Sequence, residues 1–130
     1  MTASLQVSLV QVGYGDSESA ERRVSRVAEM LDDVPRSDLV VLPELWADGA
    51  FAFDSWSAEG GFPNSSTVKR LARLAAQRNF WLHCGTFIEA AATGEWRGPG
   101  GRGLWNTAVL VSPEGEVCHK SREAVSRRLP

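Results

Sequence analysis

The stretch that most constrains this chain is residues 39–51, LVVLPELWADGAF. Residues 39–42 form an unbroken apolar run between Asp38 and Pro43. Short runs of this kind belong to strands buried inside parallel sheets. Pro43 has no N–H to give to a ladder, so the chain leaves the sheet there. Glu44 therefore stands at the carboxyl end of a buried strand, where open α/β sheets keep their functional residues. A carboxylate in such a place is costly unless it is paired or used. Two readings fit. In one, Glu44 is a general base, held rigidly at the sheet rim with its pKa raised by partial desolvation. In the other, it caps the following turn or pairs with a surface arginine.

The remaining pattern is that of an α/β chain. Residues 5–12, LQVSLVQV, place Leu5, Val7 and Leu9 on one face and Val10 and Val12 on the other, a strand with both faces partly covered. Asp16, Ser17 and Ser19 are candidate N-caps for a helix that runs to about residue 34. Its apolar positions are Ala20, Val24, Val27, Ala28, Leu31 and Val34, and Glu21, Arg22, Arg23, Arg26 and Glu29 face the other way. Pro35 ends it, and residues 38–43 close a βαβ unit. Residues 46–63 read as a loop. Asn64, Ser65 or Ser66 caps a second helix with Val68, Leu71, Ala72, Leu74 and Ala75 inward. Strands follow over residues 80–88 and 106–112, separated by a Gly-rich hairpin excursion over 90–103. Residues 113–115 turn the chain into a return strand that starts over 116–120.

Composition removes several function classes. A net charge of -2 leaves no basic excess for nucleic acid or an anionic membrane. No apolar run approaches the roughly 20 residues of a membrane span, and the N-terminus lacks a basic region before its apolar residues. Cys84 and Cys118 lack metal-ligand spacing, which fits a reducing, cytoplasmic setting. No glycine fingerprint follows the first strand, which argues against a nucleotide-binding α/β domain.

The order of these motifs resembles the N-terminal half of the nitrilase, or carbon–nitrogen hydrolase, superfamily. The residues that carry the resemblance are a first strand ending in VQ, an amphipathic helix, DLVVLPELW, a second helix, GTFIE and NTAVLVSPEGEV. They span nearly all of residues 5–120, and LPE together with NTAVLVSPEGEV is far more specific than either alone. The resemblance implies half of a four-layer α-β-β-α sandwich. It also implies hydrolysis of a non-peptide amide or nitrile, without metal or cofactor, by a Glu base, a Lys that stabilises the tetrahedral intermediate and a Cys nucleophile. A thiol needs a nearby base to act as thiolate at neutral pH, and the oxyanion needs a fixed donor or cation. The match puts the base at Glu44. It makes Asn106 a supporting residue whose side chain ties down a neighbouring loop. Glu89, at a strand end, is either a second carboxylate near the site or part of a loop salt bridge. Trp46 and Phe51, with Phe53 and Trp56, are candidates for a pocket wall or for packing at an interface.

The chain departs from the family at two points. The segment expected to read Tyr-Arg-Lys-x-His-Leu-Phe holds residues 121–127, and Glu123 stands in the lysine place. Lys120 lies three residues earlier, on the other face of a strand. Cys84 and Cys118 both read as small buried hydrophobes. The expected organisation is a hydrolase-like part over residues 1–120 and an aberrant polar tail over 121–130, as if the gene were truncated or shifted in frame near residue 121. Two functions follow. One is a carbon–nitrogen hydrolase member that is inactive alone. The other is a non-catalytic remnant or interaction module that pairs through a bare sheet face with another copy or a half-domain partner.

Overall fold

The computed structural model describes residues 2–13, 15, 17–49 and 65–125. The chain runs β1 (Val7–Leu9), α1 (Ala20–Asp33), β2 (Leu39–Val41), α2 (Ser66–Arg78), β3 (Trp81–Ala90), a short 3-10 turn (Pro99–Gly101), β4 (Leu104–Val111) and β5 (Val117–Ala124). The five strands form one sheet in sequence order. β1, β2 and β3 are parallel, and β3, β4 and β5 are antiparallel. The helices supply the two parallel crossovers, and the hairpins need none.

Both helices start where a serine can accept the orphan N–H groups of the first turn. Ser19 takes the N–H of Arg22 and caps α1, and Ser65 takes that of Val68 and caps α2. Asn79 ends α2 in the left-handed conformation, its N–H reaching the carbonyl of Ala75. The apolar stripes then meet one face of the sheet. Val27 and Leu31 of α1 and Val68, Leu71 and Ala75 of α2 pack with Val40, Leu82, Cys84, Val109 and Val111. Each fully buried Val or Leu here contributes about 1.5–3 kcal/mol.

Four sequence expectations need correction. β1 is not covered on both faces: Leu5 and Leu9 are 64% and 76% exposed at the sheet edge. Arg23 does not join the polar side of α1 but is buried. Cys118 is exposed, at the irregularity where β5 loses register with β4 beside Val111. The change of composition at residue 121 does not end the strand. β5 continues through Ala124, with Ser121, Arg122, Glu123 and Ala124 each paired to β4. Arg122 explains the continuation, since it bonds Glu89 and Glu95 and lies 4.5 Å over the Trp105 ring. No described helix is long and apolar enough to cross a membrane.

Candidate active site

Glu44 begins a tight turn over residues 44–48 at the end of β2. The turn closes with a 2.8 Å bond from the N–H of Gly49 to the carbonyl of Leu45. It requires φ +50 at Leu45, a conformation that persists only where the surroundings over-determine it. They do so here. The N–H of Leu45 donates to Thr86 Oγ1 at 3.0 Å, and Trp46 Nε1 donates to the carbonyl of Cys84 at 2.9 Å. The N–H of Ile88 donates to Asp48 Oδ2 at 2.9 Å. From α1, Arg23 donates to the carbonyl of Ala47 at 3.0 Å.

These contacts converge on an irregularity in β3 between His83 and Thr86. Gly85 lies inside it at φ +72, with no side chain, so the carbonyl of Pro43 comes up against its Cα. The bulge turns Thr86 toward the turn that carries Glu44. Across the sheet, Asn106 of β4 donates Nδ2–H to Glu44 Oε1 at 2.7 Å. Among the described residues nothing bonds Glu44 Oε2. Asn106 Oδ1 is buried and has no partner there either. Glu123 pairs with Asn106 in the ladder, so the two share a face. An ionised carboxylate has no proton to offer that orphan acceptor.

Glu44 itself is exposed, so the desolvated carboxylate expected from sequence is not what this chain presents. Trp46 is fully buried, edge-on to Phe87 with ring centroids 6.0 Å apart, and is a core residue rather than a pocket wall. Phe51, Phe53 and Trp56 lie outside the described residues. A hollow of about 690 Å³ between α1 and α2 is lined by Asp48, Arg70, Phe87 and their neighbours, and does not reach Glu44.

Glu89 belongs to a separate cluster. It pairs with Trp105, one residue from Asn106 along β4, and so faces the opposite side of the sheet. It is buried and accepts from Thr107 Oγ1 at 2.7 Å, Lys120 Nζ at 2.7 Å and Arg122 at 3.3 Å. Glu89 is thus tied into an ion-pair cluster with two residues of β5 and not into a loop salt bridge. Lys120 is committed to Glu89 and turned away from Glu44. Neither cysteine approaches Glu44 by its placement. Cys84 points into the core, where burial pushes its thiol up to about 12, and Cys118 opens β5 at the end remote from Glu123.

Sequence reasoning missed Asp48 and Arg23. Burial raises the Asp48 carboxyl above the usual range, against the Ile88 N–H and the nearby Arg23 charge, which lower it. A folded pKa above the unfolded one means the fold binds this proton more tightly. The group's contribution is then full below the unfolded value near 3.8 and is lost as pH rises through the raised folded value. Asp48→Asn keeps an oxygen for Ile88 and removes the buried charge. Its Tm is expected to exceed wild type at neutral pH and to converge with it in acid. Equal Tm values across the whole range would refute the placement of Asp48.

Comparison with known proteins agrees with this architecture. The sequence profile of the carbon–nitrogen hydrolase family matches residues 6–128. A 2-oxoglutaramate amidase of Paenarthrobacter nicotinovorans is 34% identical over 113 residues, which are 87% of this chain and 37% of that protein. Nit3 of Saccharomyces cerevisiae, a member of branch 10 of the nitrilase superfamily, superposes with a TM-score of 0.70 at 24% identity over 92% of this chain and 44% of its own. A carbon–nitrogen hydrolase of Helicobacter pylori G27 gives 0.64 at 20% identity over 92% of this chain and 39% of its own. The chain thus spans about two fifths of the length of the relatives it matches.

Proposed function

This chain belongs to the carbon–nitrogen hydrolase family, and we propose that it carries the general-base portion of an amidase acting on a small primary amide. The observation that carries this reading is the Glu44–Asn106 bond at the mouth of the β3 bulge. Asn106 holds Oε1, and among the described residues Oε2 has no partner and can take a proton from a nucleophile. The turn beneath is bonded on every side, so the carboxylate is aimed without reorganisation, as a base must be. The similarity to the 2-oxoglutaramate amidase of Paenarthrobacter nicotinovorans makes 2-oxoglutaramate the first substrate to try.

Within these 130 residues the other two roles of the family chemistry are unfilled. Glu123 holds the lysine place with the wrong charge for an oxyanion, and both cysteines lie elsewhere. The 130 residues by themselves are therefore expected to be inactive. The test is ammonia release from 2-oxoglutaramate and simple aliphatic amides. It is run on the 130-residue chain and on the polypeptide as the source cell makes it. Thiol-dependent release by the cellular product alone is the expected result. Release by the 130-residue chain overturns the assignment of incompleteness, and no release by either overturns the amidase reading.

A further inference from the structure

We propose that Arg23, on α1 and 21 residues before Glu44 in sequence, is a positioning residue for that carboxylate. This rests on the reading of Glu44 as the base but is tested apart from it. Arg23 is one of few buried charged side chains among the described residues, only 6% exposed. Its guanidinium is divided between two elements. Nε and one terminal nitrogen hold the N-terminal approach to α1, at Glu18 Oε1 (3.2 Å) and the Glu18 carbonyl (3.1 Å). The other terminal nitrogen crosses to the carbonyl of Ala47 at 3.0 Å. Arg26 completes the anchor, bonding both oxygens of the Glu18 carboxylate.

The Ala47 carbonyl is the point at which this fork acts on the site. Ala47 is three residues from Glu44, inside the turn that Leu45 enters with positive φ. Thr86, Cys84 and Ile88 tie the turn to the sheet, whereas Arg23 ties it to the helix layer. Without that second tie the turn pivots on its sheet contacts, and among the described residues Glu44 has only the Asn106 bond to keep its direction. The fork is directional: five donors in one plane let arginine hold Glu18 and Ala47 together, whereas a single ammonium or amide cannot span both. The charge is matched locally by Glu18 and by Asp48, whose carboxyl feels it. Arg23 is thus accommodated in the fold without contact to any reacting atom.

The test replaces Arg23 with Lys, which keeps the charge, and with Gln, which keeps a donor. The first readout is NMR of the folded chain, following the Asn106 side-chain amide. In wild type the Nδ2 proton bonded to Glu44 Oε1 is expected to be displaced from the free-amide position. Both variants are expected to lose that displacement, while core methyls of Val109 and Val111 stay in place. Glu18→Gln, which leaves the Ala47 bond in being, is expected to keep the displacement. If a variant at position 23 fails to fold, the other carries the measurement. If both fail, Arg23→Met carries the measurement, since it keeps an unbranched side chain in the buried place and removes every donor to Ala47. An Asn106 signal unchanged in every folded variant overturns the proposal. In an active polypeptide the same substitutions lower kcat with KM unchanged, by up to about 10²-fold for a displacement near 1 Å. The amide readout does not depend on Glu44 being a base, so failure here and failure of the amidase reading are separable.

Discussion

Gly85→Ala is expected to remove a large part of the stability of this fold. Gly85 adopts φ +72, which costs an L-residue about 1–2 kcal/mol. A Cβ there would also stand 2.0 Å from the carbonyl oxygen of Pro43 and 2.9 Å from Trp46 Cδ1. Neither neighbour yields easily, because one is backbone and the other is a fully buried ring. Overpacking of this kind adds about 1–3 kcal/mol. The sum of roughly 2–5 kcal/mol is a large share of the 5–15 kcal/mol typical of a domain. The measurement is the urea midpoint, with the m-value held constant. Gly94→Ala is the control: it has φ +81 but nothing within 4 Å of a Cβ, so it carries the conformational cost alone. A Gly85→Ala loss no larger than that of Gly94→Ala would contradict the close approach of β3 to Pro43.

The contrast between those two glycines also marks what the sequence can and cannot disclose. The helix stripes, the serine caps, the parallel start and the antiparallel finish follow from local periodicity and turn chemistry, and all are present. Glu44 was legible because Pro43 and the apolar run before it fix the end of a strand. Asn106 was singled out by the family resemblance as a residue that ties down a neighbouring loop, and in the structure its side chain bonds Glu44. Trp46 misled because a tryptophan after a strand end reads as a loop residue. Its burial depends on the bulge at Gly85, which lets the indole reach the Cys84 carbonyl across the sheet. Arg23 was missed for a different reason. It stands one turn before Val27 and two before Leu31, on the buried stripe of α1, but its charge placed it with the polar residues. The Glu18 and Ala47 partners that let it be buried are remote from it in the pattern. The extent of β5 was misjudged because Arg122 and Glu123 lack apolar alternation. Their places are set by cross-strand partners, Glu89 and Asn106, that are remote in sequence.

Glu44→Gln, made in the polypeptide that hydrolyses the amide, is expected to lower kcat by about 10²–10⁴-fold, the usual contribution of a general base. Glutamine has the length of glutamate and presents an oxygen to the Asn106 Nδ2–H, so the turn and the bond across to β4 are retained. What it lacks is an atom that can accept the nucleophile's proton. The loss therefore falls equally on kcat and kcat/KM, and KM is unchanged. Asn106→Leu makes the complementary change. It leaves the carboxylate basic but frees its direction, and its effect on kcat is expected to be smaller than that of Glu44→Gln. Should Asn106→Leu cost as much as Glu44→Gln, with the double variant no worse than either, the two residues act as one unit in the reaction. A Glu44→Gln rate equal to wild type leaves Glu44 as the first residue of a turn and nothing more. In that case the rigid scaffold of Thr86, Arg23 and Asp48 around it serves the fold alone, and the base must be sought outside these 130 residues.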